Sequence, residues 1–187
     1  MKLSEYLPYV REYLPYISLI LAITSALFTM SVWKVSRKTL KKQNVRDLIS
    51  HYRSTEMALA IRRIWELYRT NNDTFIEKYF EIDGLEMKKL NSLAGYNKKN
   101  YLESTIYFQR RLIVNFYIDV ANAYQNKLID KKDLFLNWTK EDLEIIPKIL
   151  KPLENERRKR NFGEKTELHI NEEHPLVKLY EARNKYK

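Results

Sequence analysis

The chain has 187 residues, 44% hydrophobic and 31% charged, enough for one ordinary domain with an appendage and too apolar for disorder throughout. It contains no cysteine, which excludes disulfides, thiolate metal sites and a cysteine nucleophile. The formal charge of +10 is unevenly placed: before residue 34, Lys2 and Arg11 are balanced by Glu5 and Glu12, so the whole excess follows. With only three Gly and five Pro, and with apolar residues recurring at helical spacing, the sequence predicts an all-α chain.

The first element is announced by a repeated heptad. Glu5-Tyr6-Leu7-Pro8-Tyr9 recurs as Glu12-Tyr13-Leu14-Pro15-Tyr16. From Tyr13 to Trp33 there are then 21 residues without a charge. At about 1.5 Å per residue such a helix crosses a hydrocarbon core of about 30 Å. Lipid offers the backbone no hydrogen-bond partners, so the run must be helical, and Pro15 suits its first turn. Tyr6, Tyr9, Tyr13 and Tyr16 are read as interfacial aromatics on one side and Trp33 on the other. Ala22, Ser25, Ala26 and Thr29 recur about one turn apart, a spacing that lets two spans pack.

Six cations follow, Lys34, Arg37, Lys38, Lys41, Lys42 and Arg46, with no acid before Asp47. A cleaved signal peptide has its positive charges ahead of the apolar core, so this order argues for a retained anchor. By the positive-inside rule the basic end is cytoplasmic and the N-terminus lies outside. The same cluster is expected to face anionic lipid. The sequence thus divides into an extracytoplasmic N-terminus (1–14), a transmembrane helix (15–33), a basic juxtamembrane helix (34–50), a helical cytoplasmic domain (51–163) and a polar tail with a terminal helix (164–187).

Within the domain, Met57, Ile61, Ile64, Trp65 and Tyr68 mark an amphipathic helix. Thr70-Asn71-Asn72-Asp73 breaks it and caps a short helix carrying Phe75, Ile76, Tyr79 and Phe80. Asp83-Gly84 reads as a turn, and a further short helix ends near Gly95. The longest helix is expected from about Lys98 to Asn126, apolar over more than half its circumference and therefore central to a bundle. Asp130 and Thr139 each place an N-cap acceptor before acids in a first turn. Pro147 and Pro152 interrupt or kink the stretch between Ile145 and Leu153. In Glu154-Asn155-Glu156-Arg157-Arg158-Lys159-Arg160, the four-residue spacing pairs Glu154 with Arg158 and Glu156 with Arg160, before a stop at Gly163. Leu176, Val177, Leu179 and Tyr180 form the apolar cluster of the terminal helix.

Chemistry is sparse. His169 and His174 are five apart, the wrong spacing for one helical face, and no metal or cofactor site is predicted. No Gly-rich phosphate loop and no serine elbow is present, and no catalytic residue is assigned. The remaining candidate is a polar stripe on the central helix: Arg111, Asn115, Asp119 and Asn122, continued by Asn126. Buried, these residues would have to pair as a network, with Arg111 and Asp119 bridged by Asn115; facing water, they are a solvated face.

Arg111, Asn115-Phe116, Leu128-Ile129-Asp130 and Trp138, with Arg157 as a further basic position, make a pattern that resembles a family of uncharacterised single-span microbial membrane proteins. The likeness runs loosely from residue 45 to 160. It implies a membrane helix joined to a helical cytoplasmic domain and brings no catalytic residues. The first functional expectation is a membrane-tethered interaction, scaffold or regulatory module. Its partners would be the lipid bilayer and either another protein or a second copy. A basic peripheral domain holding anionic lipid, with nucleic acid less favoured, is the alternative. An enzyme using the polar stripe is a second alternative.

Overall fold

A computed structural model describes residues 7–162 and 170–186. The expectations for Tyr6, for Gly163 as a helix stop and for His169 fall outside the described residues. Among those described, the secondary structure is helical throughout, with no strand. The helices are α1 (Leu7–Tyr52), α2 (Thr55–Asn71), α3 (Phe75–Asn91), α4 (Gly95–Ser104), α5 (Ile106–Gln125), α6 (Lys131–Asn137), α7 (Lys140–Leu143), α8 (Lys151–Phe162) and α9 (Pro175–Asn184).

The chain forms two units, residues 1–43 and 44–187. In the first, α1 is long and apolar enough to cross a membrane, and none of its apolar window is buried by the rest of the chain. Pro15 lies inside the helix near its start. Tyr13, Tyr16 and Trp33 are exposed, and Tyr9 lies on the same helix. Ser18, Thr24 and Thr29 return their hydroxyls to carbonyls one turn back, which hides these donors from an apolar surrounding.

The second unit is a bundle around α5, which packs on α2, α3, α4 and α9. Ile106, Ile113, Phe116, Tyr117 and Val120 form its buried stripe. Met57, Ala60 and Ile64 of α2 face it, as the apolar spacing predicts, and Ser54 caps α2 by accepting from the Met57 N–H at 3.2 Å. Leu176, Val177 and Leu179 of α9 are buried, so the terminal helix docks as expected.

Several boundaries differ from the sequence expectation. Gly84 is no turn; it lies inside α3, where no neighbouring atom comes within 4 Å of a would-be Cβ. Gly95 begins α4 rather than ending a helix, with φ +59°. The single long helix expected over 98–126 is two helices, broken at Thr105, whose backbone is extended (φ −70°, ψ 150°). Its hydroxyl donates to the Leu102 carbonyl at 2.6 Å and accepts from the Phe108 N–H at 3.3 Å. Threonine thus closes one helix and caps the next. Thr139 and Asp142 form a reciprocal capping box on α7, whereas Asp130 begins α6 without a side-chain capping bond. The two prolines distort the helix without ending it. Between α7 and α8 lies one π-helical turn, Ile146–Leu150, in which the Lys151 N–H reaches the Ile146 carbonyl.

Candidate functional site

Helical phase decides which of two adjacent arginines enters the core. Arg110 shares a face of α5 with Ile106, Ile113, Val114 and Tyr117, all buried; Arg111 is one residue, about 100°, away and exposed. Arg110 is only 2% exposed, and a cation there requires a partner. The partner is Glu154 of α8, 3% exposed, whose carboxylate contacts the Arg110 guanidinium. Arg157 Nε donates to the other carboxylate oxygen at 3.2 Å. Glu154 therefore pairs with the distant Arg110 and with Arg157 three positions on, not with Arg158 as the four-residue spacing suggested. The Glu156–Arg160 pair does form, at 2.8 Å.

Two residues of α3 complete the cluster. The Tyr79 hydroxyl sits beside Arg110, and burial pushes its pKa well above the ordinary phenol value while Arg110 pulls it back. Asp83, one turn on, is raised by burial, with Arg110 acting against the rise and Glu86 adding to it. Burial likewise weakens proton binding by Arg110, with Tyr79 opposing. Asp83 and Glu154 balance Arg110 and Arg157 in formal charge. Such a set fixes α3, α5 and α8 in register, since each charge is stable only with its partners in place.

Two further polar contacts pin the bundle. Glu86 accepts from Arg63 Nη2 and from the Ile106 N–H, both at 2.6 Å, tying α2 and α3 to the start of α5. Tyr52 donates to Asp142 Oδ1 at 3.1 Å, and Tyr117 donates to the Asp142 carbonyl at 2.9 Å. Around them Tyr52 stacks on Phe116, with centroids 5.5 Å apart, and Trp138 lies tilted against Phe116 at 6.2 Å. The Phe116 and Trp138 of the resemblance pattern thus meet in the core.

The predicted polar stripe is not a buried network. Arg111, Asn115, Asp119 and Asn122 are all exposed. Arg111 donates to the Tyr107 hydroxyl at 3.3 Å and lies over that ring, a local contact that leaves Asp119 out. The missed residue is its neighbour, and the signal was available: 106, 110, 113 and 117 recur at helical steps, placing one arginine on an apolar face. The six residues of the basic cluster lie on α1. Lys34, Arg37, Lys38, Lys42 and Arg46 are exposed on α1, Lys41 is half-buried, and the Arg37 guanidinium lies 5.4 Å from the Trp33 ring. Among the described residues no three His, Asp or Glu side chains are grouped as a metal site.

A groove of about 410 Å³ runs between α2, α4 and α5, lined by the apolar Leu59, Phe108 and Leu112 and by the polar Glu56, Asn100, Glu103, Ser104 and Gln109. A second, of about 270 Å³, shares Phe108 and Leu112 and ends at Arg111 and Asn115. Comparison with protein-family models, with curated proteins and with solved structures found no match.

Proposed function

We propose that this chain is a membrane-anchored α-helical contact module, with its N-terminus outside, one span at 15–33 and the helical domain in the cytoplasm. The observation that carries this reading is the exposure of α1: from Tyr13 to Trp33 every side chain is exposed over the whole circumference of an uncharged helix. A core helix would be covered by the rest of the fold, and water does not tolerate so large an apolar cylinder; a bilayer does. The six cations after Trp33 favour the inward orientation of that end.

The contact surface in this proposal is the paired groove of α2, α4 and α5, and the partner is a protein or a second copy. Orientation is tested with single cysteines, since the chain has none of its own. In intact cells a membrane-impermeant thiol reagent should label Lys2→Cys and spare Lys187→Cys. Labelling of the second alone overturns the orientation. The contact role is tested by crosslinking in membranes: Leu59→Glu, at a side chain 56% exposed, should abolish crosslinked species without lowering the melting temperature.

A further inference from the structure

From Met87 to Leu102 the sequence holds four lysines, Lys88, Lys89, Lys98 and Lys99, and no acid. The stretch runs from the end of α3 into α4, which packs on both α3 and α5. Every residue from Ala94 to Asn100 is exposed, as are Lys88 and Lys89. Several cations elsewhere in the domain are spent on acids of their own helix: Arg62 on Glu66, Lys78 on Glu81, Lys148 on Glu144 and Arg160 on Glu156. Among the described residues, Lys88, Lys98 and Lys99 have no carboxylate partner, and Lys89 lies over the Tyr101 ring at 4.8 Å. Of the acids that flank the stretch, Glu86 is held by Arg63 and the Ile106 N–H, and Glu103 lines the groove described above.

Helix stability accounts for half of this charge. Lys88 and Lys89 stand in the last turn of α3, where the helix end favours cations. Lys98 closes the first turn of α4 and Lys99 follows it, where the helix end disfavours them. Nor does local chemistry support α4 in other ways. Its N-cap, Ala94, makes no side-chain bond, Gly95 begins it, and none of its residues is buried. Tyr96 is 77% exposed, and among the described residues no ring or hydrogen-bond contact fixes it. A weakly supported helix that displays a free ring among unpaired lysines is accounted for by what it binds.

We infer that this corner of α3 and α4 is a binding surface for single-stranded nucleic acid. Tyr96 stacks on a base, Lys88, Lys98 and Lys99 meet phosphates, and Asn97 and Asn100 offer amides to base edges. Chemistry selects the occupant. An acidic bilayer takes aliphatic or indole side chains below its headgroups, and Ala94–Asn100 displays none. An acidic protein segment would meet the lysines but leave the three kinds of group without a common use. A duplex keeps its base faces stacked, so an exposed ring serves unpaired bases. This surface needs neither the groove nor the anchor to act.

The test uses the full chain in non-ionic detergent and the fluorescence anisotropy of a labelled oligouridylate. Polyglutamate and an RNA duplex of the same length serve as competitors. The oligouridylate should bind at low salt and be displaced by neither competitor at equal charge. Tyr96→Ala should weaken binding at least about fivefold, the low end of base–aromatic stacking, and Tyr96→Phe should keep it. Lys98→Gln with Lys99→Gln should lower the slope of log affinity against log salt by about 1.4, two single-strand phosphate contacts at roughly 0.7 each. Lys127→Gln with Lys132→Gln, exposed at the far end of α5 and on α6, is the control and should change neither. The melting temperature should hold in all four variants. No binding at low salt, a Tyr96→Ala variant that binds like the parent, or an equal loss in the control pair overturns the proposal. Tighter binding of polyglutamate or of the duplex overturns it as well.

Discussion

Arg110 of α5 and Glu154 of α8 form an ion pair in the interior of the domain, 2% and 3% exposed, and Arg157 engages the same carboxylate at 3.2 Å. Burying two charges costs several kcal/mol per ion, offset only while each has its partners. Arg110→Met alone should therefore destabilise by about 3–5 kcal/mol, and so should Glu154→Leu alone. The double variant should recover most of the loss, because apolar residues of similar volume replace such pairs at little cost. Urea unfolding in mild detergent, followed by the buried Trp138, measures all three. Additive losses in the double variant would show that the two side chains act independently.

The exposed stripe gives the opposite expectation. Asp119→Ala and Asn122→Ala should each change stability by no more than about 0.5 kcal/mol, the usual range for surface positions without special contacts. The same unfolding experiment decides it. A loss near that of Arg110→Met would mean that Asp119 has a partner which its exposure hides.

These two outcomes mark what the sequence could and could not disclose. Elements set by local chemistry were legible: the apolar run of α1, the facing residues of α2, the N-cap at Thr139 and the docked cluster of α9. Elements set by competition were not. Gly84 has no Cβ and reads as a turn, yet the apolar positions on both sides of it hold α3 together. Thr105 reads as one more polar residue until Glu86, 20 positions before Ile106, accepts the Ile106 N–H. Glu154 has a basic residue four positions on, so nothing local points to Arg110. Phase along α5 was the one usable signal for the buried arginine, and it was masked by the second arginine beside it.

The two glycines described should respond oppositely to alanine. Gly84 lies in a helix interior with open space around it, so Gly84→Ala should stabilise by roughly 0.5–1 kcal/mol through helix propensity. Gly95 has φ +59°, which alanine adopts only at a penalty of about 1–2 kcal/mol, so Gly95→Ala should destabilise. Paired melting curves of the two variants check the signs, and a stabilised Gly95→Ala would mean that α4 can begin at another residue.

The last expectation concerns acid. His174 precedes α9, and its Nδ1 accepts from the Leu176 N–H at 3.3 Å, which requires the neutral ring. Burial, with Arg158 assisting, lowers its pKa below the ordinary 6.5. The unfolded chain then binds the proton more readily than the folded one, so the stability this group contributes is complete above pH 6.5 and is lost as pH falls through the folded value. The start of α9 should loosen on acidification, seen as faster amide exchange at Leu176 after correction for intrinsic rates. His174→Ala should lose the cap at every pH, at a cost of about 1 kcal/mol. His174→Asn keeps an acceptor that does not titrate, so it should hold α9 at acid pH as well as at neutral. An acid transition that survives unchanged in His174→Asn would assign the loosening to another group.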